Sequence, residues 1–85
     1  MYEFQQFYIP KRMMGGIKRY IENHIEPGDF LMAVLTNDLT GAVGRADNEN
    51  MANLPAYVSY LYNEAPSACW GSKEKVAVRL LHPRE

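Results

Sequence analysis

The chain contains one cysteine, Cys69, and this scarcity excludes an internal disulfide bond. No apolar run approaches the roughly 18 residues that a membrane-crossing helix needs. No basic stretch followed by an apolar one opens the sequence, so we do not expect a secretory leader. These features favour a soluble protein that works in the cytoplasm.

The chain also lacks an excess of charge of either sign. Nine Lys and Arg residues stand against ten Asp and Glu residues, so the formal net charge is -1 at pH 7. Proteins that hold the phosphate backbone of a nucleic acid need a basic surface, and so do proteins that bind anionic membranes. This charge balance argues against nucleic acid and against a membrane as partners.

Motifs of catalysis and cofactor binding are missing as well. The histidines, His24 and His82, are far apart, and with one cysteine they give no metal-ligand spacing. The chain has no G-x-S-x-G, no Walker loop and no G-x-G-x-x-G, and the pair Gly41 and Gly44 lies inside a predicted helix. We therefore expect no metal, no cofactor and no enzymatic activity.

Aromatic side chains are plentiful, with six Tyr, three Phe and one Trp in 85 residues. Several of them lie in residues 1–10, a segment that has no helical period and ends at Pro10. We expect this segment to be an extended aromatic arm that docks on the body or on a neighbouring subunit. So small a domain cannot bury all its tyrosines, which favours a homo-oligomer or a protein partner.

Hydrophobic periodicity predicts an all-α fold, a compact bundle of about four short helices in a single domain. The predicted helices are residues 11–26, 30–46, 54–63 and 73–82, and the arm is residues 1–10. Leu39 and Val58 fall on the predicted inner faces. The alternation of apolar residues up to Leu80 would also suit a strand, but a cap at Ser72 favours a helix.

A polar cluster interrupts the apolar face of the second predicted helix. At 100° per residue, Asp38 falls near the middle of that face, and Arg45 falls within about 20° of it two turns later. Gly41 lies one turn from each, and Asn37 flanks the same edge. A carboxylate on a packing face is costly unless it is paired or hydrogen-bonded.

Three interpretations of this cluster remain open. In the first, Asp38 and Arg45 belong to a buried polar network that fixes how the helices dock. In the second, the same two residues line a cleft for a polar ligand together with Asn37, and Gly41 leaves room for it. In the third, Asp38 or Arg45 reaches across a subunit interface.

A second candidate site is the turn before the last predicted helix. In the functional interpretation, Trp70 stacks on a planar ligand while the amides that follow Ser72 receive an anion. In the structural interpretation, Trp70 closes the end of the bundle and Ser72 is only a helix cap.

The segment PGDFLMAVLTNDLTGAVGRADNEN, followed by LPAYVSYLYNEAPSACWGS, resembles a family of small proteins encoded by bacteriophages and prophages. The resemblance covers about residues 12–80 and implies an accessory phage gene product that acts in the host cytoplasm. It includes the polar positions described above, which favours binding of a ligand or partner. The candidate binding residues are Asn37, Asp38, Gly41, Arg45, Asp47, Asn50, Tyr62, Trp70 and Ser72.

The first hypothesis is therefore a non-enzymatic, homo-oligomeric accessory protein that modulates or inhibits a host factor, such as an anti-phage defence system. Its target is a host protein or a small nucleotide-like signal held between subunits. The alternative is a helix-turn-helix-like DNA-binding regulator, although the segment TNDLTGAVGRAD has one cation and two acids. A third hypothesis is a small enzyme that uses Asp38 or Asp47 as the base.

Overall fold

Helices, including a short 3₁₀ helix at Ser67–Cys69, account for 68% of the described residues, which confirms the prediction of a predominantly helical fold. The computed structural model describes residues 1–81, and in this range a β-hairpin precedes six α-helices. The helices are α1 (Lys11–Asn23), α2 (Asp29–Leu35), α3 (Leu39–Arg45), α4 (Asn48–Ala52), α5 (Leu54–Glu64) and α6 (Lys73–Leu81). None of these helices is long and apolar enough to cross a membrane.

Residues 1–10 contain a β-hairpin instead of the extended arm that the sequence predicts. Its antiparallel strands are β1 (Tyr2–Phe4) and β2 (Phe7–Ile9). Gln5 in the connecting turn has a φ of 55°, a left-handed conformation that tight hairpin turns need. Strands of three residues are too short for a recognisable alternation, and the turn residues Gln5 and Gln6 are not the usual Asn or Gly. The hairpin therefore has almost no signature in the sequence.

The hairpin packs against α5 and the residue that precedes it. The Tyr2 hydroxyl lies 2.8 Å from Ser59 Oγ, and the Tyr2 ring meets the Tyr60 ring edge-on with centroids 5.2 Å apart. The backbone N–H of Tyr8 donates a hydrogen bond of 2.9 Å to Asn53 Oδ1. These contacts hold the hairpin on the helical body.

The predicted helix 30–46 is divided into α2 and α3 by a break at Thr36, Asn37 and Asp38. Asn37 has a φ of 63°, a left-handed conformation that ends a helix and that Asn tolerates better than most residues. Asp38 then caps α3, because its Oδ1 accepts a hydrogen bond of 2.9 Å from the amide of Gly41. The prediction of one continuous helix was wrong, since the pair Asn-Asp ends one helix and begins the next.

The other predicted helices differ from the structure mainly at their ends. α1 stops at Asn23, with His24 in a left-handed conformation beyond it. α4 is a separate short helix before Asn53. Together with the division of the predicted helix 30–46, it gives residues 1–81 six α-helices where the predicted bundle has four. α6 is a helix, as the Ser72 cap predicts, and the last residue predicted for it, His82, lies outside the described residues.

Two groups of buried side chains form the core. The first includes Ile17, Phe30 and Tyr57, and the rings of Phe30 and Tyr57 meet edge-on at 5.1 Å. The second joins α6 to the other helices, and Leu61 and Val76 belong to it. α5 contributes to both groups and connects them.

Candidate functional site

Three of the predicted site residues, Asp38, Gly41 and Arg45, lie together at α3. A methyl group added at Gly41 would overlap Asp38 Oδ2 and would lie 2.6 Å from Arg45 Nη1. The carboxylate and the guanidinium therefore converge over the glycine, which leaves room for both. Among the described residues, no ion pair within 4.0 Å joins Asp38 to Arg45.

The predicted position of Asp38 in the middle of a packing face was wrong. Asp38 lies at the N-terminus of α3 and is partly exposed. Its carboxylate accepts the hydrogen bond of the Gly41 amide, which comes from its own helix. Asn37, in the break before it, is exposed. The Asp38 carboxylate therefore caps α3 and remains partly exposed.

A groove of about 400 Å³ lies between α2, α3 and α6, and Asp38 forms part of its wall. The apolar residues that line it are Met32, Ala33, Val76, Ala77 and Leu80. The charged residues that line it are Asp29, Asp38, Arg45 and Lys73. Ala33 and Val76 are buried and form its floor, whereas Arg45 and Lys73 are exposed at its rim. The groove thus combines an apolar floor with two carboxylates and two cations.

The charges of the groove restrict what it can hold. Its floor can bury an aliphatic or aromatic group. A purely anionic ligand would be attracted by Arg45 and Lys73 but repelled by Asp29 and Asp38. The groove is therefore best matched by a ligand that has an apolar part and charges of both signs.

Asp47 and Asn50, two further predicted site residues, do not line the groove and hold α4 in place. Asp47 caps α4, because its Oδ1 accepts a hydrogen bond of 2.8 Å from the Asn50 amide. Asn50 is buried, and its Oδ1 accepts a hydrogen bond of 2.5 Å from the Tyr57 hydroxyl. Both residues therefore have structural partners within the chain.

Sequence reasoning missed a surface network that joins the hairpin, α1 and α4. Arg12 Nη2 lies 3.0 Å from Asp47 Oδ2 and 3.0 Å from Glu49 Oε1. The Tyr8 hydroxyl donates a hydrogen bond of 2.7 Å to Glu49 Oε2. These four residues are called the Arg12 network below. Its partners are 35 to 41 residues apart in the chain, so no local pattern reveals them.

The Arg12 network shifts the ionisation of its carboxyl groups. The amide of Asn50 and the guanidinium of Arg12 hold the pKa of Asp47 below its ordinary value of 3.8. The hydroxyl of Tyr8 and the guanidinium of Arg12 hold the pKa of Glu49 below its ordinary value of 4.5. Both carboxylates therefore stay charged in the folded chain at neutral pH.

The corner from Trp70 to Ser72 joins α6 to α2. Ser72 Oγ accepts a hydrogen bond of 3.1 Å from the amide of Lys75 and so caps α6. The amide of Gly71 donates a hydrogen bond of 2.7 Å to the carbonyl oxygen of Leu35. Trp70 packs against the second core group, and its indole N–H has no partner within residues 1–81. Neither Trp70 nor Ser72 lines the groove.

Tyr62 lies on a different surface, the outer side of α5, and is 78% exposed. The shallow depression beside it shares no residue with the groove. The predicted site residues therefore do not form one site. Asp38, Gly41 and Arg45 come together, whereas Tyr62 lies apart from them.

No protein-family model, curated protein or solved structure matches the chain. Among the described residues, no group of three or more His, Cys, Asp or Glu side chains is placed to hold a metal ion. The resemblance to phage-encoded proteins over about residues 12–80 stays a prediction.

Proposed function

We propose that the protein works by binding, without catalysis, and that the groove between α2, α3 and α6 holds a segment of a partner protein. One observation supports this proposal. Core residues form the floor of the groove, and both carboxylates and cations lie along its border. Ala33 and Val76 supply apolar surface that an incoming side chain can cover. The charged border then selects which apolar segment is accepted.

The partner segment has a definable chemistry. An amphipathic helix that lies in a groove places apolar side chains on the floor and its flanking charges at the border. Arg45 and Lys73 would pair with acidic residues of this segment, and Asp29 and Asp38 with basic ones. Because the border carries charges of both signs, it also repels segments of uniform charge, and this makes binding specific.

In this proposal the chain is a phage or prophage accessory protein that acts in the host cytoplasm. Its partner is a host factor, and an anti-phage defence protein is the case that the resemblance favours. The support is the resemblance over about residues 12–80 together with a groove whose charges suit a protein segment.

Two neighbouring residues on α6 allow a test of whether the partner binds in the groove. Ala77 lines the groove and is exposed, whereas Val78 is exposed and does not line it. A photo-crosslinking amino acid placed at position 77 should capture one discrete host protein, and the same amino acid at position 78 should not. Equal capture at both positions, or at neither, would count against the groove.

Charge reversal then tests the border. We expect Lys73→Glu and Arg45→Glu each to weaken the affinity for a peptide from the captured segment about fivefold, since an exposed ion pair contributes about 1 kcal/mol at most. Titration calorimetry measures this affinity. Lys18→Glu, which changes an exposed α1 residue outside the groove, should leave it unchanged.

A second candidate ligand is a small nucleotide-like signal. The observation that favours it is the presence of two cations, Arg45 and Lys73, in one groove with an apolar floor. Native mass spectrometry of protein purified from infected cells distinguishes the two candidates. A retained mass below about 1 kDa would support the small ligand, and a captured chain that Lys73→Glu releases would support the protein segment.

A further inference from the structure

We propose that the exposed side of α1 binds a small aromatic phosphate ester, with the phosphate group over Gly15 among the cations of the helix and the aromatic ring against Tyr2 and Tyr60. The site is a pocket of about 630 Å³ between β1, α1 and α5, which we call the α1 pocket. It shares no lining residue with the groove between α2, α3 and α6, so the two sites are separate.

Charge is unevenly divided along the chain. α1 contains four of the nine Lys and Arg residues and one of the ten Asp and Glu residues, so its formal net charge is +3. The rest of the chain has five Lys and Arg residues against nine Asp and Glu residues, a net charge of -4. Positive charge is therefore concentrated on one helix of an acidic chain, and this helix is where an anion is attracted.

The four cations of α1 surround one glycine. Lys11 and Arg12 precede Gly15 by four and three residues. Lys18 and Arg19 follow it by three and four residues. Residues at these intervals are neighbours on a helix surface, with Cβ atoms about 5 to 6 Å apart, so all four side chains can reach a point over Gly15. The Nη1 atom of Arg19 already lies 3.1 Å from the position that a methyl group at Gly15 would take.

Three of these four cations are available to a ligand. Arg12 is held by the two carboxylates of the Arg12 network. Among residues 1–81, in contrast, no ion pair or side-chain hydrogen bond holds Lys11, Lys18 or Arg19. All three side chains are exposed. An anion over Gly15 can therefore pair with them without breaking a contact of the fold.

Packing within the chain does not explain the glycine at position 15. A glycine inside a helix lowers its stability relative to alanine. At Gly16 the close approach of α2 accounts for the glycine, because a methyl group there would lie 3.4 Å from Leu31 Cδ1. At Gly15 the nearest atoms all belong to the guanidinium of Arg19, the flexible end of an exposed side chain. The space over Gly15 is therefore not needed by the fold, whereas an anion among the cations needs it.

A phosphate ester matches the number of free cations. A phosphate monoester has nearly two negative charges at neutral pH and three acceptor oxygens, so Lys11, Lys18 and Arg19 can each donate to one oxygen. A carboxylate has one charge and two oxygens and would leave one cation without a partner. Glu64 also lines the α1 pocket and repels an anion, but the three cations outnumber it.

The other wall of the α1 pocket is formed by Tyr2, Met14 and Tyr60. The rings of Tyr2 and Tyr60 meet edge-on with centroids 5.2 Å apart. Tyrosine rings and methionine sulfur both make favourable contacts with an aromatic ring. A ring joined to the phosphate can therefore contact this wall, and we expect the ester to bind more tightly than inorganic phosphate.

Titration of the full chain with phenyl phosphate at low salt, followed by NMR of the backbone amides, tests the α1 pocket. We expect the amides of Gly15 and Lys18 to shift and to saturate with a dissociation constant of about 0.1 to 1 mM, because each exposed ion pair contributes little. Inorganic phosphate should shift the same amides with an affinity about fivefold lower. Shifts confined to the groove, or no shift up to about 10 mM ester, would overturn the proposal.

Substitutions of opposite sign test the charges of the pocket. Lys18→Gln should weaken binding of phenyl phosphate about fivefold. The matched control is Lys75→Gln, which removes an exposed cation of α6 outside the α1 pocket and the groove and should leave the affinity unchanged. Glu64→Gln removes the repelling carboxylate and should tighten binding about twofold. Equal losses in the two lysine variants, or an affinity that Glu64→Gln does not raise, would contradict the site.

A leucine at position 15 tests the space itself. Gly15→Leu should weaken binding at least about tenfold without loss of stability in urea, because leucine is a better helix former than glycine. The control Gly44→Leu places the same side chain on α3, where nothing lies within 4 Å of the added carbon, and should bind normally. Binding that survives Gly15→Leu would overturn the proposal.

The α1 pocket and the groove can be tested separately. In native mass spectrometry, a small ligand that Gly15→Leu releases and Lys73→Glu retains belongs to the α1 pocket. None of the phenyl phosphate results bears on crosslinking at Ala77 in the groove, so either proposal can fail while the other stands.

Discussion

The Tyr57 hydroxyl donates a hydrogen bond of 2.5 Å to Asn50 Oδ1 inside the core. Both side chains are buried, and burial raises the pKa of Tyr57, so its hydroxyl keeps the proton that it donates. The bond joins α4, a helix of five residues, to α5. So short a helix is unstable alone, and this contact helps to hold it in place.

Removal of this hydroxyl should destabilise the fold. We expect Tyr57→Phe to lower the free energy of unfolding by about 1 to 3 kcal/mol, because Asn50 Oδ1 is left buried without a partner. Urea denaturation measures the change. The control is Tyr62→Phe, which removes an exposed hydroxyl and should change the free energy by less than about 0.5 kcal/mol. Equal losses in both variants would contradict the role of the buried bond.

The two glycines of α3 should respond to alanine in opposite directions. Gly41→Ala brings a methyl group against the Asp38 carboxylate and Arg45, so the cap of α3 must move. We expect this variant to lose about 1 kcal/mol, because loss of the cap and crowding against Arg45 cost about 1 kcal/mol each and the better helix propensity of Ala returns about 1 kcal/mol. Nothing lies within 4 Å of a methyl group at Gly44, so Gly44→Ala should gain up to about 1 kcal/mol. Thermal denaturation measures the stability of both variants. If both substitutions stabilised the fold, the close packing of Asp38 and Arg45 over Gly41 would be refuted.

Acid should weaken the Arg12 network. The pKa values of Asp47 and Glu49 are lowered in the folded chain, so these groups stabilise the fold above their ordinary values of 3.8 and 4.5. That stabilisation is lost as the pH falls through the lowered values. We expect the urea midpoint of Arg12→Met to be lower than that of the native chain at neutral pH. The two midpoints should converge at about pH 2.5, where the carboxylates of the network become protonated.

The control for this pH dependence is Lys18→Met, which removes a cation from the same helix at a position outside the network. Its urea midpoint should differ from that of the native chain by a similar small amount at every pH. If the midpoint of Arg12→Met stays parallel to that of the native chain down to about pH 2.5, the network does not cause the acid sensitivity.

Hydrophobic periodicity predicted the helices whose apolar stripe runs without a break. It failed in residues 30–46, because the helical wheel was continued through Asn37, where the chain turns left-handed. A break rotates every later residue relative to the earlier ones. Leu39, expected on an inner face, is therefore among the most exposed apolar residues. Val58 was expected inside as well, but it is 55% exposed.

The candidate site was predictable only where its residues are close in the sequence. Asp38, Gly41 and Arg45 belong to one helix and its cap, so their spacing brings them together even though the surrounding helix was misjudged. Lys73 reaches the same groove from α6, and Asp29 reaches it from the start of α2. Only the tertiary packing of these helices places the two residues beside Asp38, and periodicity does not reveal that packing.

Two substitutions at Asp38 should separate its structural role from its role in the groove. Asn caps a helix as well as Asp does, so Asp38→Asn should change the free energy of unfolding by less than about 0.5 kcal/mol. Asp38→Ala loses the hydrogen bond from the Gly41 amide and should cost about 1 kcal/mol. Because Asp38→Asn still removes a negative charge from the groove, it should weaken binding of the partner segment about fivefold. Urea denaturation and titration calorimetry measure the two effects, and an unchanged affinity in Asp38→Asn would show that Asp38 serves only as the cap of α3.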